Sequence, residues 1–256
     1  MSGRTKSYFL SDAHLGAAYI ADHRAHEAAL VDFLRSIEPT AKAVYLLGDI
    51  LDYWFEYRTV VPRGYVRFFG QLARMADAGI EIVWFTGNHD IWLFDYLRDE
   101  LGITIADPSG GGLLKDIDGT LFFMGHGDDF GRQPRGYRAL RGIFRCRFLQ
   151  KLYSGIHPRW SIPFAHGWSS HSRKSGPPVP VLTPRARCAV ELASRRLAVE
   201  NPALRYIVLG HHHVAIDEPV NSRCRLIILG NWIDRSSYAV FDGTSLELKE
   251  WSREQN

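Results

Sequence analysis

Cysteine is scarce in this chain. The three present, Cys146, Cys188 and Cys224, show no C-x-x-C spacing. That excludes a disulfide framework and a zinc-thiolate site, and a reducing cytoplasm is the expected compartment. Long apolar runs are also missing, since charge or glycine interrupts each one well before the roughly 18 residues that a membrane span needs. Met1 to Ser7 passes almost directly into an apolar run, without the h-region of an export signal. Acid is absent from one long stretch. Between Phe130 and Val190 there are twelve Lys or Arg and no Asp or Glu, although the whole chain carries a net charge of only +3, so the remainder is acidic. Such a block points to a polyanion or a membrane surface as partner. No repeat or low-complexity tract occurs. With 256 residues and 46% hydrophobic composition, one substantial core is possible. The expected organisation is a single domain over residues 1–256, with an insertion at about 130–180.

The present elements alternate. Ser7 to Leu10, Ala43 to Leu47 and Ile80 to Phe85 read as strands. Ala25 to Ile37 and Val66 to Ala78 carry helical periodicity between and after them. Strand, helix, strand argues for parallel βαβ units in an α/β layered fold. Further on, Leu113 to Ile117 and Thr120 to Met124 form a predicted hairpin around Asp118-Gly119. A helix follows at 184–200, then strands at Tyr206 to Leu209 and Leu226 to Leu229, and a last hairpin turns at Asp242-Gly243. Gly176-Pro177-Pro178-Val179-Pro180 is the clearest linker.

Five of these strands stop at a polar cluster: Asp12-x-His14, Gly48-Asp49-x-x-Asp52, Gly87-Asn88-His89-Asp90, Gly125-His126-Gly127-Asp128 and Gly210-His211-x-His213. One carboxylate at a strand end is an ordinary cap; five clusters in succession are not. Ligands of α/β sheets collect outside the carboxyl ends of strands, so the clusters are expected to converge. Imidazole, carboxylate and amide oxygen without thiolate suit Mn, Fe, Zn or Co. A shared Asp, with Asp49 the obvious choice, lets two ions clamp an in-line phosphoryl displacement.

In order and block for block, these motifs resemble the calcineurin-like metallophosphoesterase superfamily, from Ser11 to about His213. The resemblance implies a four-layer αββα sandwich with two divalent ions, manganese foremost. One ion falls to Asp12, His14, Asp49 and His213, the other to Asp49, Asn88, His126 and His211. His89 becomes the catalytic histidine beside the leaving oxygen, oriented by Asp90. His212 is expected to point away, and Asp52 and Asp128 stand equally as partners of the ligands or as turn acids.

Within the superfamily the chain is most similar to the UDP-2,3-diacylglucosamine pyrophosphatases of lipid A biosynthesis, which carry a basic helical cap after the H-G-D block. Gly136-Tyr137, Gly230-Asn231-Trp232 and Trp54 in "LDYWFE" carry that likeness. One departure is His89, where the best-known branch has Arg. The implied substrate is a UDP-linked acylated glucosamine, cleaved to UMP and 2,3-diacylglucosamine 1-phosphate, with Tyr137 and Trp54 as substrate contacts. Arg173 and Lys174, just before the linker, are candidate phosphate contacts. Tyr137, Leu140, Phe144, Phe148 and Leu152 share one helical face, while Arg135, Arg138, Arg141 and Arg145 run along another. Acyl chains suit the first face and anionic groups the second, or the apolar face docks on the catalytic core. The expected location is peripheral, on the cytoplasmic face of the inner membrane, against its anionic surface. The alternative is a nuclease or nucleotide phosphodiesterase; without a recognisable stacking platform, nucleic acid is disfavoured. A non-catalytic interaction module would be expected to lack ligands, and no protein partner is implied.

Overall fold

Four parallel strands make up one side of the first sheet: β1 (Lys6–Leu10), β2 (Ala41–Leu46), β3 (Glu81–Phe85) and, at the edge, β4 (Thr104–Ala106). They are joined by α1 (His23–Ile37), α2 (Val66–Asp77) and α3 (Tyr96–Leu101). These elements come from a computed structural model that describes residues 3–106, 111–131, 135–174 and 182–253. The antiparallel hairpin β10 (Ser237–Phe241) and β11 (Leu246–Glu250) joins at the β1 edge, giving six strands in the order β11-β10-β1-β2-β3-β4. The second sheet has five strands in the order β5-β6-β7-β9-β8. Its hairpin β5 (Leu113–Ile117) and β6 (Thr120–Gly125) leads to β7 (Leu204–Leu209), with β8 (Ala215–Pro219) and β9 (Arg225–Leu229) beyond.

Side-chain alternation along β1 shows why the sheets are layered. Tyr8 and Leu10 pack with Leu30, Phe33 and Leu34 of α1 and Phe68, Leu72 and Met75 of α2. Phe9 points the other way and stacks on Phe122 of the second sheet at 5.6 Å between ring centroids. Phe9, Tyr45, Phe122, Tyr206 and Ile227 thus form a core between the two sheets. Ile207, Leu209 and Ile228 face outward onto Val190 and Ala198 of α7 (Pro184–Glu200). The result is the four-layer αββα sandwich, with central strands buried on both faces and therefore continuously apolar. Local signals start the helices: Asp22 accepts from Ala25 N at 2.8 Å to open α1, and Thr183 with Pro184 opens α7.

Between β6 and α7 lie α4 (Arg135–Arg145), α5 (Arg147–Ser154) and α6 (Pro158–Lys174). The sequence periodicity predicts one continuous helix through residues 137–152, but the chain breaks at Cys146, whose φ of −70° and ψ of 110° are extended. The break separates Tyr137 and Phe144 from Phe148 and Leu152, which are exposed. The linker at 176–180 lies outside the described residues. Among the described residues no helix is long and apolar enough to cross a membrane.

Candidate active site

The carboxyl ends of β1, β2, β3, β6 and β7 open toward one another, and the loops that follow bring Asp12, His14, Asp49, Asn88, His126, His211 and His213 together. Three overlapping groups, Asp12/His14/His213, His14/Asp49/His89 and Asp49/His126/His211, each have their donor atoms within 4.8 Å of one another. Asp49 Oδ2 lies 3.3 Å from His126 Nε2 and 3.7 Å from His14 Nε2, so it sits between the two halves of the cluster. Asp12 Oδ1 lies 3.3 Å from His213 Nε2, and Asn88 Oδ1 lies 3.1 Å from His126 Nε2.

The backbone is bent to make this possible. Of the eight non-glycine residues at positive φ among the described residues, five are Asp12, His14, Asp49, His211 and His213, so left-handed backbone concentrates at this site. Close approach adds a second constraint. A Cβ on Gly87 would lie 2.2 Å from Asp49 Oδ1, and only glycine lets β3's loop pass so near the central carboxylate.

The donor set fits cations. Asp12 Oδ1 is buried and has no hydrogen-bond partner, an arrangement whose cost a bound cation removes. Burial alone would push the Asp12, Asp49 and Asp52 carboxyls upward, but the surrounding imidazoles outweigh it and hold all three below the usual carboxylate range. Burial, reinforced by His126, pushes the His211 imidazole down to about 3, leaving it neutral as a ligand must be. Burial opposes the charged form of His126 as well, but Asp49 outweighs it and raises that group well above its ordinary value. Nδ1 of His126 faces Leu47 O at 2.9 Å, which directs Nε2 into the cluster.

His89 stands at the lip of the cluster, and its partner is not the expected one. Its Nδ1 lies 3.0 Å from the backbone oxygen of Asp52 and 3.4 Å from Asp52 Oδ1, which is also 3.4 Å from His14 Nδ1. The expectation that Asp90 orients His89 is therefore corrected. Asp90 is fully buried beneath the loops, where its carboxylate accepts from the N–H groups of Gly87 (2.7 Å), Asp49 (3.0 Å) and Ile50 (2.9 Å) and from the Trp84 indole (3.1 Å). It fastens the β2 and β3 loops to each other. Asp52 is the acid that sequence reasoning undervalued; its signal was the G-D-x-x-D spacing, which returns the second carboxylate to the cluster of the first.

Above His89 and Asn88 opens a cavity of about 470 Å³. Its walls are chiefly apolar: Tyr53, Ile91 and Trp92 from the core loops, with Leu140, Phe144, Leu149 and Phe164 from α4, α5 and α6. The helices are tied down around it. Tyr137 Oη and Arg141 Nε donate to Asp128 Oδ2 at 3.1 and 2.9 Å, the Trp92 indole donates to Phe144 O at 2.9 Å, and the Tyr53 and Tyr153 hydroxyls meet at 3.1 Å. Asp128 is thus an anchor for α4, and Tyr137 lines the cavity as well. Trp54, expected as a substrate contact, is fully buried and donates its indole N–H to Glu56 Oε1 at 3.1 Å. It packs against Tyr65, Phe69 and Tyr96, away from the cavity; its neighbour Tyr53 takes the wall position. The backbone of Arg173 and Lys174 closes α6, whereas their side chains lie outside the described residues. His212 belongs to none of the three donor groups and packs edge-on against His211.

The chain is similar to known proteins. The sequence profile of the family described as calcineurin-like phosphoesterase matches residues 5–215. A protein of Porphyromonas gingivalis named UDP-2,3-diacylglucosamine hydrolase is 41% identical over 96% of this chain and 97% of its own length. A protein of the same name from Neisseria gonorrhoeae is 27% identical over 88% of this chain and 89% of its own. Among solved structures, a dimetal phosphatase from Danio rerio aligns with a TM-score of 0.47 and 14% identity, covering 96% of each chain.

Proposed function

The chain belongs to the calcineurin-like phosphoesterase family, and from that premise we propose that it hydrolyses the diphosphate of UDP-2,3-diacylglucosamine to UMP and 2,3-diacylglucosamine 1-phosphate. The observation that carries the substrate is the apolar cavity whose floor is Asn88 and His89. A phosphoesterase of small polar esters has no use for a chamber walled by Leu140, Phe144, Leu149 and Phe164 directly over its reactive cluster. Acyl chains do, because burying each CH₂ contributes about 0.8 kcal/mol. The relatives named for this activity support the same substrate. We read α4–α6 as a cap inserted into a single domain and place the acyl chains beneath it.

The site residues divide the work. Asp12, His14, Asp49 and His213 would hold one divalent ion, and Asp49, Asn88, His126 and His211 the other; the mixed imidazole and carboxylate set suits Mn, Fe, Zn or Co, and the family resemblance puts manganese foremost. Such ions supply Lewis-acid stabilisation of charge on the phosphoryl oxygens during in-line displacement. Water adds to the α-phosphorus and the bond to the bridging oxygen breaks, so that oxygen departs with the sugar phosphate. With Nδ1 of His89 turned to Asp52, Nε2 is the atom that can give the departing oxygen a proton. Asp52 holds the ring in that orientation, with Nε2 toward the departing oxygen, and steadies His14 at the same time.

A lipid substrate also places the protein at a bilayer. Phe148, Trp160 and Phe164 are 69%, 70% and 66% exposed on α5 and α6, among exposed Arg147, Lys151 and Arg159. Aromatic side chains interleaved with cations suit the interface of an anionic membrane, and we assign the cap to peripheral contact with the cytoplasmic face of the inner membrane.

The test is hydrolysis by manganese-loaded protein of UDP-2,3-diacylglucosamine, beside bis-p-nitrophenyl phosphate and single-stranded DNA, with His126→Ala as control. UMP release from the lipid, lost in the control, is expected. Cleavage confined to the generic ester or to DNA would retain the metal centre and overturn the substrate.

A further inference from the structure

A second cavity, of about 350 Å³, lies along α4 and is lined by Asp129, Gly131, Tyr137, Arg138, Arg141, Gly142 and Arg145. It shares Tyr137 and Arg141 with the apolar cavity, so the two chambers meet along α4. Helical spacing explains the contrast between them. Leu140, Ile143 and Phe144 face one chamber, while Arg138, Arg141 and Arg145 line the other. The cationic chamber also adjoins the reactive cluster. Arg145 Nη2 donates to Thr86 Oγ1 at 3.4 Å, just before Gly87-Asn88-His89, and Arg141 Nε is held at 2.9 Å by Asp128, two residues after His126.

We propose that this arginine-lined cavity binds the nucleoside monophosphate half of the substrate, with the uracil edge read by Asp129 and its flanking arginines. The inference rests on the function proposed above and adds where the polar half of the molecule goes. A diphosphate joins an apolar group to a nucleotide, and here an apolar chamber and a cationic one meet at the cluster. Arg138 makes no hydrogen bond or ion pair among the described residues, so its charge is uncommitted for a phosphate oxygen. Arg141 is already neutralised by Asp128 and Asp129 and acts as a fixed donor in the wall. Uracil presents acceptor, donor, acceptor along its edge. A carboxylate between guanidinium groups offers the complement: Asp129 accepts from N3–H, and arginine N–H groups donate to the carbonyl oxygens. Cytosine would set the N3 lone pair against the same carboxylate, which an unpaired contact disfavours.

The experiment measures inhibition of bis-p-nitrophenyl phosphate hydrolysis by UMP, CMP and inorganic phosphate in the manganese-loaded full chain, together with UMP binding by calorimetry. UMP should bind about tenfold or more tightly than CMP, the scale of one charge-assisted hydrogen bond. Arg138→Ala should weaken UMP by a similar factor and inorganic phosphate with it, because a phosphate oxygen is its partner. Gly142→Leu should weaken UMP by filling the chamber and inorganic phosphate far less. A Cβ there meets nothing within 4 Å, and leucine favours the helix, so that variant should fold. Asp129→Asn should erase the preference for UMP over CMP. Equal affinities for UMP, CMP and phosphate in the wild type, or UMP affinity unchanged in Arg138→Ala and Gly142→Leu, would overturn the proposal. None of these readings uses the lipid, so failure to cleave UDP-2,3-diacylglucosamine would sink the function and leave the nucleotide site to be judged separately.

Discussion

Replacing Asp52 by Asn removes one buried charge while keeping the size of the side chain, and the structure states what should follow. Asp52 Oδ1 is 3.4 Å from Nδ1 of both His14 and His89, a distance at which unit charges of opposite sign attract by about 5 kcal/mol at an effective dielectric of 20, an upper bound that applies to His89 when both its nitrogens carry protons. Most of that gross attraction is offset by the desolvation of a fully enclosed acid. Neutralising an outer partner of a metal ligand or catalytic histidine leaves a net loss of about 10- to 100-fold, or about 1.4 to 2.8 kcal/mol. The backbone oxygen of Asp52 still accepts from His89 at 3.0 Å, so the ring keeps its place and only the charge behind it changes. The two routes separate in the assay. Loss through His14 should appear as weaker manganese binding that excess metal restores, whereas loss through His89 should persist in kcat at saturating metal. In the double variant with His89→Ala, the two kcat losses at saturating manganese should fail to multiply, because there Asp52 acts on kcat only through His89. Full multiplication, or wild-type kcat in Asp52→Asn at saturating manganese, would refute this account of Asp52.

Gly87→Ala places a methyl 2.2 Å from Asp49 Oδ1, so it should displace the central carboxylate, destabilise the fold by about 1–3 kcal/mol and abolish metal-dependent hydrolysis; wild-type metal stoichiometry in that variant would contradict the close-approach argument. In metal-free protein, His211 is held down to about 3 against about 6.5 in the unfolded chain, so its stability contribution is complete above about pH 6.5 and is lost as pH falls toward 3. Urea midpoints between pH 7 and 4 should therefore fall more steeply in the wild type than in His211→Gln, and parallel slopes would exclude the effect. Burial pushes the Cys224 thiol up to about 11 while Cys146 and Cys188 are exposed, so a thiol reagent near pH 8 should titrate two cysteines quickly and the third only on unfolding. Binding to vesicles of anionic phospholipid should weaken in Phe148→Ser/Trp160→Ser and in high salt; equal sedimentation of wild type and variant would remove the membrane face assigned to α5 and α6.

The ends of strands were the most legible parts of the chain, because the information there is local. Asp12 and His14, or His211 and His213, follow an apolar run within a few residues, so spacing alone announces them. Roles that depend on distant backbone were not legible. The resemblance pairs Asp90 with its chain neighbour His89, but its partners Asp49 N and Ile50 N lie about forty residues away and come together only when β2 and β3 pair. The resemblance implies Trp54 as a substrate contact, and nothing in a bridge after a strand states which face a side chain takes; Glu56, two residues on, holds its indole inside. The break at Cys146 has no proline or glycine to announce it. Strand β8, with Asp217, Glu218 and Pro219, has a composition that strands disfavour and exists through its pairing with β9.

The left-handed residues explain why such a site needs two sheets. Each non-glycine residue at positive φ costs about 1–3 kcal/mol, and five together reach the order of a whole domain's stability, about 5–15 kcal/mol. Isolated loops could not hold them. Here the loops continue the pairing of their strands: Asp12 N donates to Gly48 O (3.1 Å), His14 N to Asp49 O (2.9 Å) and Leu15 N to Ile50 O (2.9 Å), extending the β1–β2 ladder past its end. In the other sheet Gly210 N donates to His126 O at 2.8 Å. Asp12 then joins the halves, its Oδ2 accepting from His211 N at 2.8 Å while Oδ1 faces the cluster. Docking of the two sheets and assembly of the ligand set are thus a single event. A substitution at Asp12 must therefore lower metal affinity and loosen the sheet junction together, and so must one at Asn88, whose amide oxygen meets His126 Nε2 of the other sheet at 3.1 Å.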